Sequence, residues 1–290
     1  MKKSLAILSL FATIPLLLPA QSFYSVRRER SLILTVGAGS ASYFGELKDK
    51  GKTLGPDASI NLNVGLQHFF TPRIAARVEL NYLQLRGDDS KSVNAGRNLS
   101  FVANNFELNA TGLVNLFPNG LRFYQRASFN VYGFAGIGLL YSNPMAEYQG
   151  SKYALQPLMT EGVKYSKFQP VIPYGLGVKV KAGPFFNVAV EGGWRKTFTD
   201  YLDDVSTVYP DRSTWDPNSM RYKLADRSGE VNGGTDTFIA GHKRGNPDKN
   251  DSYFLLNVKV EYYLAHNFLF KERNAYAQKR RAVKHRNRRR

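Results

Sequence analysis

Ile60, Leu62, Val64 and Leu66 alternate with Asn61, Asn63, Gly65 and Gln67, and the same period of two governs eight separate segments of this chain. Ile74, Ala76, Val78, Leu80 and Tyr82 face away from Arg77, Glu79 and Asn81. Phe106, Leu108, Ala110, Val114 and Leu116 interleave with Glu107, Asn109, Thr111 and Asn115. Ile172, Tyr174, Leu176, Val178 and Val180 interleave with Gly175, Gly177 and Lys179. Phe186, Val188, Val190 and Trp194 oppose Asn187, Glu191 and Arg195, and Phe254 to Tyr262 oppose Asn257, Lys259 and Glu261. Stretches 32–43 and 129–141 complete the set. Successive side chains of a β-strand point to opposite faces, so each segment predicts a strand with one apolar and one polar face.

The connections carry a second signal. Thr71-Pro72-Arg73 joins the second and third segments, Ala182-Gly183-Pro184 the sixth and seventh, and a modest turn containing Pro118-Asn119-Gly120 the fourth and fifth. The other four connections, 46–57, 86–98, 143–169 and 197–251, are long. Short turns at one end, long loops at the other and an even strand number predict an all-β fold, an eight-stranded antiparallel transmembrane β-barrel of the bacterial outer membrane. Its turns and both termini face the periplasm and its loops face outward. A soluble barrel would turn its apolar face inward and its polar face to water. Against that stands the composition of the polar face, which holds four acids (Glu79, Glu107, Glu191, Glu261) and four bases (Arg77, Lys179, Arg195, Lys259). In a barrel too narrow for an open pore, these eight predict a mutually neutralising lumen network. Tyr43, Phe44, Phe69, Phe70, Phe101, Phe117, Tyr141, Tyr262 and Tyr263 lie at segment ends and predict interfacial aromatic girdles.

The two ends of the chain are of another kind. Lys2 and Lys3 precede 14 mostly apolar residues, Leu5 to Leu18, and Pro19-Ala20 offers a cleavage point before Gln21. This is the layout of a secretory signal peptide over residues 1–20, too short to cross a bilayer as a helix. With Gln at position 21 and no cysteine anywhere, the mature chain is not an acylated lipoprotein, and it has no disulfide or thiolate metal site. The net charge of +17 is concentrated beyond the last strand. Residues 271–290 hold ten cations (Lys271, Arg273, Lys279, Arg280, Arg281, Lys284, Arg286, Arg288, Arg289 and Arg290) against one acid, which leaves the barrel body, residues 21–264, with ordinary charge. Residues 265–290 therefore read as a basic periplasmic tail, and that compartment argues against a nucleic-acid partner. An acidic face of a periplasmic protein, anionic lipid or peptidoglycan groups, and water remain as its surroundings.

Catalytic patterns are missing. The four histidines show no metal-binding spacing, no GxSxG elbow occurs, and the glycines at 37, 39, 133, 136 and 138 lie inside strands rather than in a strand-to-helix loop. The sequence predicts no enzyme and no cofactor. Residues 198–252 carry ten acids against seven bases. Asp200, Asp203 and Asp204 offer hard oxygen ligands, yet they lack the DxDxDG spacing of a regular calcium loop. The spacing favours solvated loop charge, while Tyr209 and Trp215 predict that the loop is partly ordered.

Several strings are more specific than the alternation. SASYFGELKD, FTPRIAARVELNY, RNLSF followed by FELNATGLVNLFP, RKTFTDYLDDVSTVYPD and RGNPDKNDSYFLLNVKVEYYL together resemble the PorG-type outer-membrane barrel family of the Bacteroidota type IX protein secretion system, over roughly residues 30 to 265. The resemblance implies a non-enzymatic role in protein transport, seated among outer-membrane lipids. It also implies a periplasmic ring as partner, built from a lipoprotein and its partner subunit of the PorK and PorN families. A different class of function, a surface-binding barrel such as an adhesin or receptor, would act through the long outer loops. Outer-membrane barrels commonly end at an aromatic residue of the last strand, here Tyr262 or Tyr263, and this chain continues well past it.

Overall fold

The computed structural model describes residues 32–47, 59–91, 94–120 and 125–264. The signal segment and the basic tail lie outside these residues. Eight strands form the barrel: β1 (Leu32–Phe44), β2 (Ser59–Phe69), β3 (Ile74–Asp88), β4 (Ser100–Asn115), β5 (Phe129–Tyr141), β8 (Phe168–Lys181), β9 (Phe186–Thr197) and β10 (Ser252–Tyr263). Each pairs antiparallel with its neighbours in the chain, and β1 closes on β10 from Ile33 opposite Tyr263 to Phe44 opposite Ser252. No edge is left among the eight, so the backbone groups of the wall are satisfied within the wall, as a bilayer requires.

Polarity is reversed relative to a soluble barrel. Along β2 the apolar set Ile60, Leu62, Val64 and Leu66 is 44–52% exposed, while Asn61, Asn63 and Gln67 between them are 0–4% exposed. The same exchange runs through β3, β4, β8, β9 and β10. An apolar wall around a polar interior is stable only where hydrocarbon surrounds it. Inside, the lumen is layered. A small apolar cluster including Ile33, Phe69, Leu113 and Phe134 fills the turn end. A charged layer follows, and a larger cluster including Leu83, Leu85, Phe101, Leu140 and Leu255 fills the loop end.

Three features differ from the sequence expectation. β3 and β4 run on together to Asp88 opposite Ser100, absorbing the start of what reads as a long loop. The 143–169 connection contains a hairpin, β6 (Pro144–Tyr148) and β7 (Ser151–Ala154), which extends the sheet through Val102 and Ala103 of β4. Its turn residues Gln149 and Gly150 both have positive φ, 51° and 78°, the two-residue geometry that matches strand twist. The third is a correction to the girdles. Tyr43, Phe69, Phe101 and Tyr263 point inward and are 1–6% exposed, because in each the side chain falls on the lumen parity of its strand. The outward aromatics meet in pairs instead: Phe44, Trp194 and Phe254 in a row, Tyr82 with Phe106, and Tyr141 with Phe168 toward the loops, and Phe186 with Tyr262 toward the turns.

The short turns are made locally. The Thr71 hydroxyl accepts from the backbone N–H of Ile74 (2.9 Å) and Arg73 (3.2 Å), holding Phe70–Arg73 between β2 and β3. Chain entry at Leu32 and exit at Tyr263 lie at this same end.

Candidate functional site

All eight charged residues expected in the lumen are buried there, and the register brings them together across the barrel. Lys259 on β10 donates to Glu79 on β3 (2.6 Å) and Glu191 on β9 (2.8 Å). Arg77 donates to the other oxygen of Glu191 (2.8 Å) and lies 3.8 Å from Glu79. Arg195 lies 3.5 Å from Glu107, and Lys179 3.4 Å from Glu261. Neutral side chains add donors to the same carboxylates: the Tyr132 hydroxyl on Glu191, the Tyr253 hydroxyl and Asn109 on Glu107, and Asn187 on Glu261. Glycine opposite these groups makes the room. A Cβ at Gly177 would lie 2.3 Å from the ring of Tyr132, and one at Gly193 would lie 2.6 Å from Phe134 and from Arg195. Lys259, Arg77, Glu79 and Glu191 are each 1% exposed, so side chains fill the centre of the lumen.

The second constellation sits at the loop-end mouth of the barrel, and the sequence reading missed most of it. The β9–β10 connection folds back over the barrel. Leu202, Val205 and Leu224 insert into the loop-end cluster, and α1 (Leu155–Leu158) brings Leu155 to the same place. A short helix, α2 (Met220–Ala225), is capped by the Ser219 hydroxyl accepting from Tyr222 N–H. Tyr209 stacks on Phe238 at 4.8 Å. Far from being solvated, Asp200, Asp203 and Asp204 are 6%, 1% and 2% exposed, which corrects the expectation for this loop. Folding buries them because Leu202 and Val205 on either side of the Asp pair are drawn into the core.

Glu161 organises one side of the mouth. It accepts from the backbone N–H groups of Ser206 (3.0 Å) and Thr207 (2.9 Å), from the Thr207 hydroxyl (2.7 Å) and from Arg244 (2.8 Å). Arg244 also donates to the carbonyl of Asp204 (2.7 Å). Asp204, at φ 68°, accepts from the hydroxyls of Thr160 and Tyr165, and burial pushes its carboxyl up to about 6 against the pull of Arg244. Arg97 holds both oxygens of Asp89 and donates to the carbonyl of Arg244. On the other side, Asp251 accepts from the Tyr43 hydroxyl and from Leu202 N–H (2.9 Å), while Asp203 accepts from Val205 N–H (2.9 Å). Burial holds the Asp203 and Asp251 carboxyls well above the usual range, with Asp251 and Glu46 adding to the first and Glu46 and Asp200 to the second. The strings TDYLDDVST and RGN…ND therefore meet at one place, although about 40 residues separate them. Their specificity was the available signal for this site, and nothing in the spacing of the acids revealed it.

The ten tail cations lie outside the described residues. No protein-family model and no curated protein matches this sequence. Among solved structures, the chain superimposes on Neisserial surface protein A with a TM-score of 0.41 and 10% identity, over 81% of this chain and 97% of that one. Ail of Yersinia pestis, in complex with the heparin analogue sucrose octasulfate, gives 0.37 and 11%, over 80% and 96%. The N-terminal β-barrel domain of Pseudomonas aeruginosa OprF gives 0.36 and 8%, over 81% and 98%. Likeness at this level carries no argument of its own, and the barrel assignment rests on the closed register of its eight strands.

Proposed function

We propose that this protein is a non-enzymatic integral outer-membrane component of the type IX secretion system that anchors or recruits a periplasmic ring of the PorK and PorN type. The observation that carries the reading is the resemblance of TDYLDDVST and RGN…ND, with the strings around β1 to β4, to the PorG-type family. A filled lumen supports anchoring over conduction, since a pore needs a hydrated path and the central charges here are sealed by one another. The apolar outer wall supports residence in the outer membrane. With the loops outward, the short turns and both chain ends lie on the periplasmic side, and the ten cations of residues 271–290 become available to an acidic partner face.

Cross-linking in intact cells, followed by capture of the full barrel, tests this. Ring subunits should be recovered with the wild-type chain, and deletion of residues 271–290 should reduce that recovery in a salt-sensitive way. Undiminished recovery removes the tail from the mechanism. Absence of ring subunits from the wild-type capture removes the secretion reading itself.

A second reading, a surface-binding barrel, is favoured by one feature: the outer loops fold into a cap with its own buried residues, Leu202, Val205, Tyr209 and Leu224. It requires that removing the exposed rim residues 231–235 abolish a binding activity while cargo secretion continues.

A further inference from the structure

Four carboxylates crowd the loop-end mouth, and the one described cation that acts on them, Arg97, attracts Glu46 and Asp203 without forming an ion pair to either. Glu46 follows β1, Asp200 and Asp203 open the β9–β10 connection, and Asp251 immediately precedes β10. One carboxylate oxygen from each of Glu46, Asp203 and Asp251 lies within 4.8 Å of the others. Asp200 is close enough to act electrostatically with Glu46 and Asp251. Among the described residues, no Lys or Arg forms an ion pair with any of the four. The nearby guanidinium groups are engaged elsewhere, Arg97 with Asp89 and Arg244 with Glu161.

Hydrogen bonds account for only part of the acceptor capacity. Asp251 takes Tyr43 and Leu202, one oxygen of Asp203 takes Val205, and one oxygen of Glu46 takes the N–H of Asn246. Oδ2 of Asp203, Oε2 of Glu46 and both oxygens of Asp200 are buried with no hydrogen-bond partner. Asp203 is 1% exposed and Asp200 6%, so water does not reach these oxygens freely either. Buried like charges at this spacing repel, and each has lost hydration; a bound cation removes both costs at once. The backbone has been shaped to bring them together. A Cβ at Gly45 would lie 1.7 Å from the Tyr43 hydroxyl and 2.0 Å from Oδ1 of Asp251, so only glycine lets the end of β1 close over the cluster.

We propose that Glu46, Asp203 and Asp251 are ligands of a divalent cation of the calcium class, with Asp200 completing the negative charge around it. The donors are all oxygen, with no imidazole or sulfur among them, which selects a hard cation. Oxygens on opposite sides of one calcium lie about 4.6–5.2 Å apart, whereas magnesium holds them about 4.0–4.2 Å apart. Three oxygens within 4.8 Å of one another are compatible with the wider shell of calcium. Bound there, the ion ties the exit of β1, the TDYLDDVST turn and the start of β10 into one unit at the loop-end mouth. This inference is independent of the secretion reading, because it concerns the isolated chain and no partner protein.

The test uses the full chain, folded in detergent and stripped with a chelator, titrated with calcium chloride and separately with magnesium chloride. Calorimetry should find one saturable calcium site, with a dissociation constant in the range of about 0.1–1 mM expected for extracellular sites. The thermal midpoint should rise with calcium and much less with magnesium. Asp203→Asn and Asp251→Asn should each weaken calcium binding about ten-fold or more. Asp236→Asn, on the rim beside Arg212, should leave it unchanged. Glu46→Gln, at a half-buried position, provides a third ligand variant if either Asp variant does not fold, as judged by circular dichroism. Absence of calcium-dependent heat and thermal shift in the wild-type chain at about 10 mM overturns the proposal, that concentration lying well above the weak end of the range. Unchanged affinity in the ligand variants, or magnesium binding as tightly as calcium, overturns it equally.

Discussion

In the lumen, Glu79 and Glu191 share Lys259 and Arg77; at the mouth, Glu46, Asp203 and Asp251 take hydrogen bonds but no ion pair among the described residues. Both regions bury carboxylates, and the lumen matches four acids to four bases while four acids of the mouth form no ion pair among the described residues. The difference follows from what builds each region. Strand alternation turns all eight charges inward, and closure of the barrel brings acids and bases of mostly non-adjacent strands together across the lumen, as Glu191 on β9 meets Arg77 on β3. At the mouth the groups arrive on the end of β1, a loop turn and the start of β10, and hydrophobic residues such as Leu202 and Val205 set their depth. The lumen carboxylates are neutralised by lumen bases, although amide and guanidinium atoms such as those of Asn63, Gln67 and Arg77 stay without partners there, whereas the mouth carboxylates form no ion pair among the described residues. That is the distinction between a structural plug and a site.

Substitutions should separate the two regions, and the largest effect belongs to the plug. Lys259→Met leaves Glu79 and Glu191 with Arg77 as their only base and should cost about 3–5 kcal/mol, read from urea unfolding in detergent. A loss under about 1 kcal/mol would mean that the lumen charges are not held as a network, and the contrast with the mouth would collapse. Arg244→Met removes the bond to Glu161 and the bond to the Asp204 carbonyl, and should loosen the cap by about 2–4 kcal/mol. Hydrogen exchange should show this loss at residues 199–207 with the barrel strands unaffected; matching loss in β3 or β9 would show that mouth and lumen unfold together. Tyr253→Phe withdraws one hydroxyl from Glu107 while Asn81 and Asn109 remain, for a cost of about 1.5 kcal/mol in the same unfolding assay. The smallest effect has the opposite sign. Asp200 has no ion pair among the described residues, and burial, with Glu46 and Glu161, pushes its carboxyl up to about 7 against the lowering interaction of the Ser206 side chain. In chelator, Asp200→Asn should therefore stabilise the cap by about 0.5–1 kcal/mol. Destabilisation there would show that the mouth acids are already compensated, as those of the lumen are.

Much of the wall was legible because its physics is local. Each strand declares its own two faces, so the lipid-facing set from Ile60 to Leu66 and the lumen set from Asn61 to Gln67 follow from position parity. Parity also explains where reading by residue type failed. Tyr43, Phe69, Phe101 and Tyr263 have the side chains of a girdle and the positions of a core, and position prevailed. The β6–β7 hairpin escaped because Pro144–Ala154 contributes two short strands without a sustained alternation, and Gln149 is an uncommon residue at positive φ.

Sequence alone determined the strand number, the faces, the end at which the loops gather and the balance of four acids with four bases inside. Those properties depend on a period of two and on counting, which survive without three-dimensional knowledge. Only the tertiary structure decided that Glu191 takes both Arg77 and Lys259, that Glu161 and Arg244 lock the TDYLDDVST turn, and that Glu46 and Asp251 converge on Asp203. Contacts spanning 40 to 200 residues depend on closure of the barrel and on how the loops collapse over its mouth, and neither is written in the spacing of any one segment.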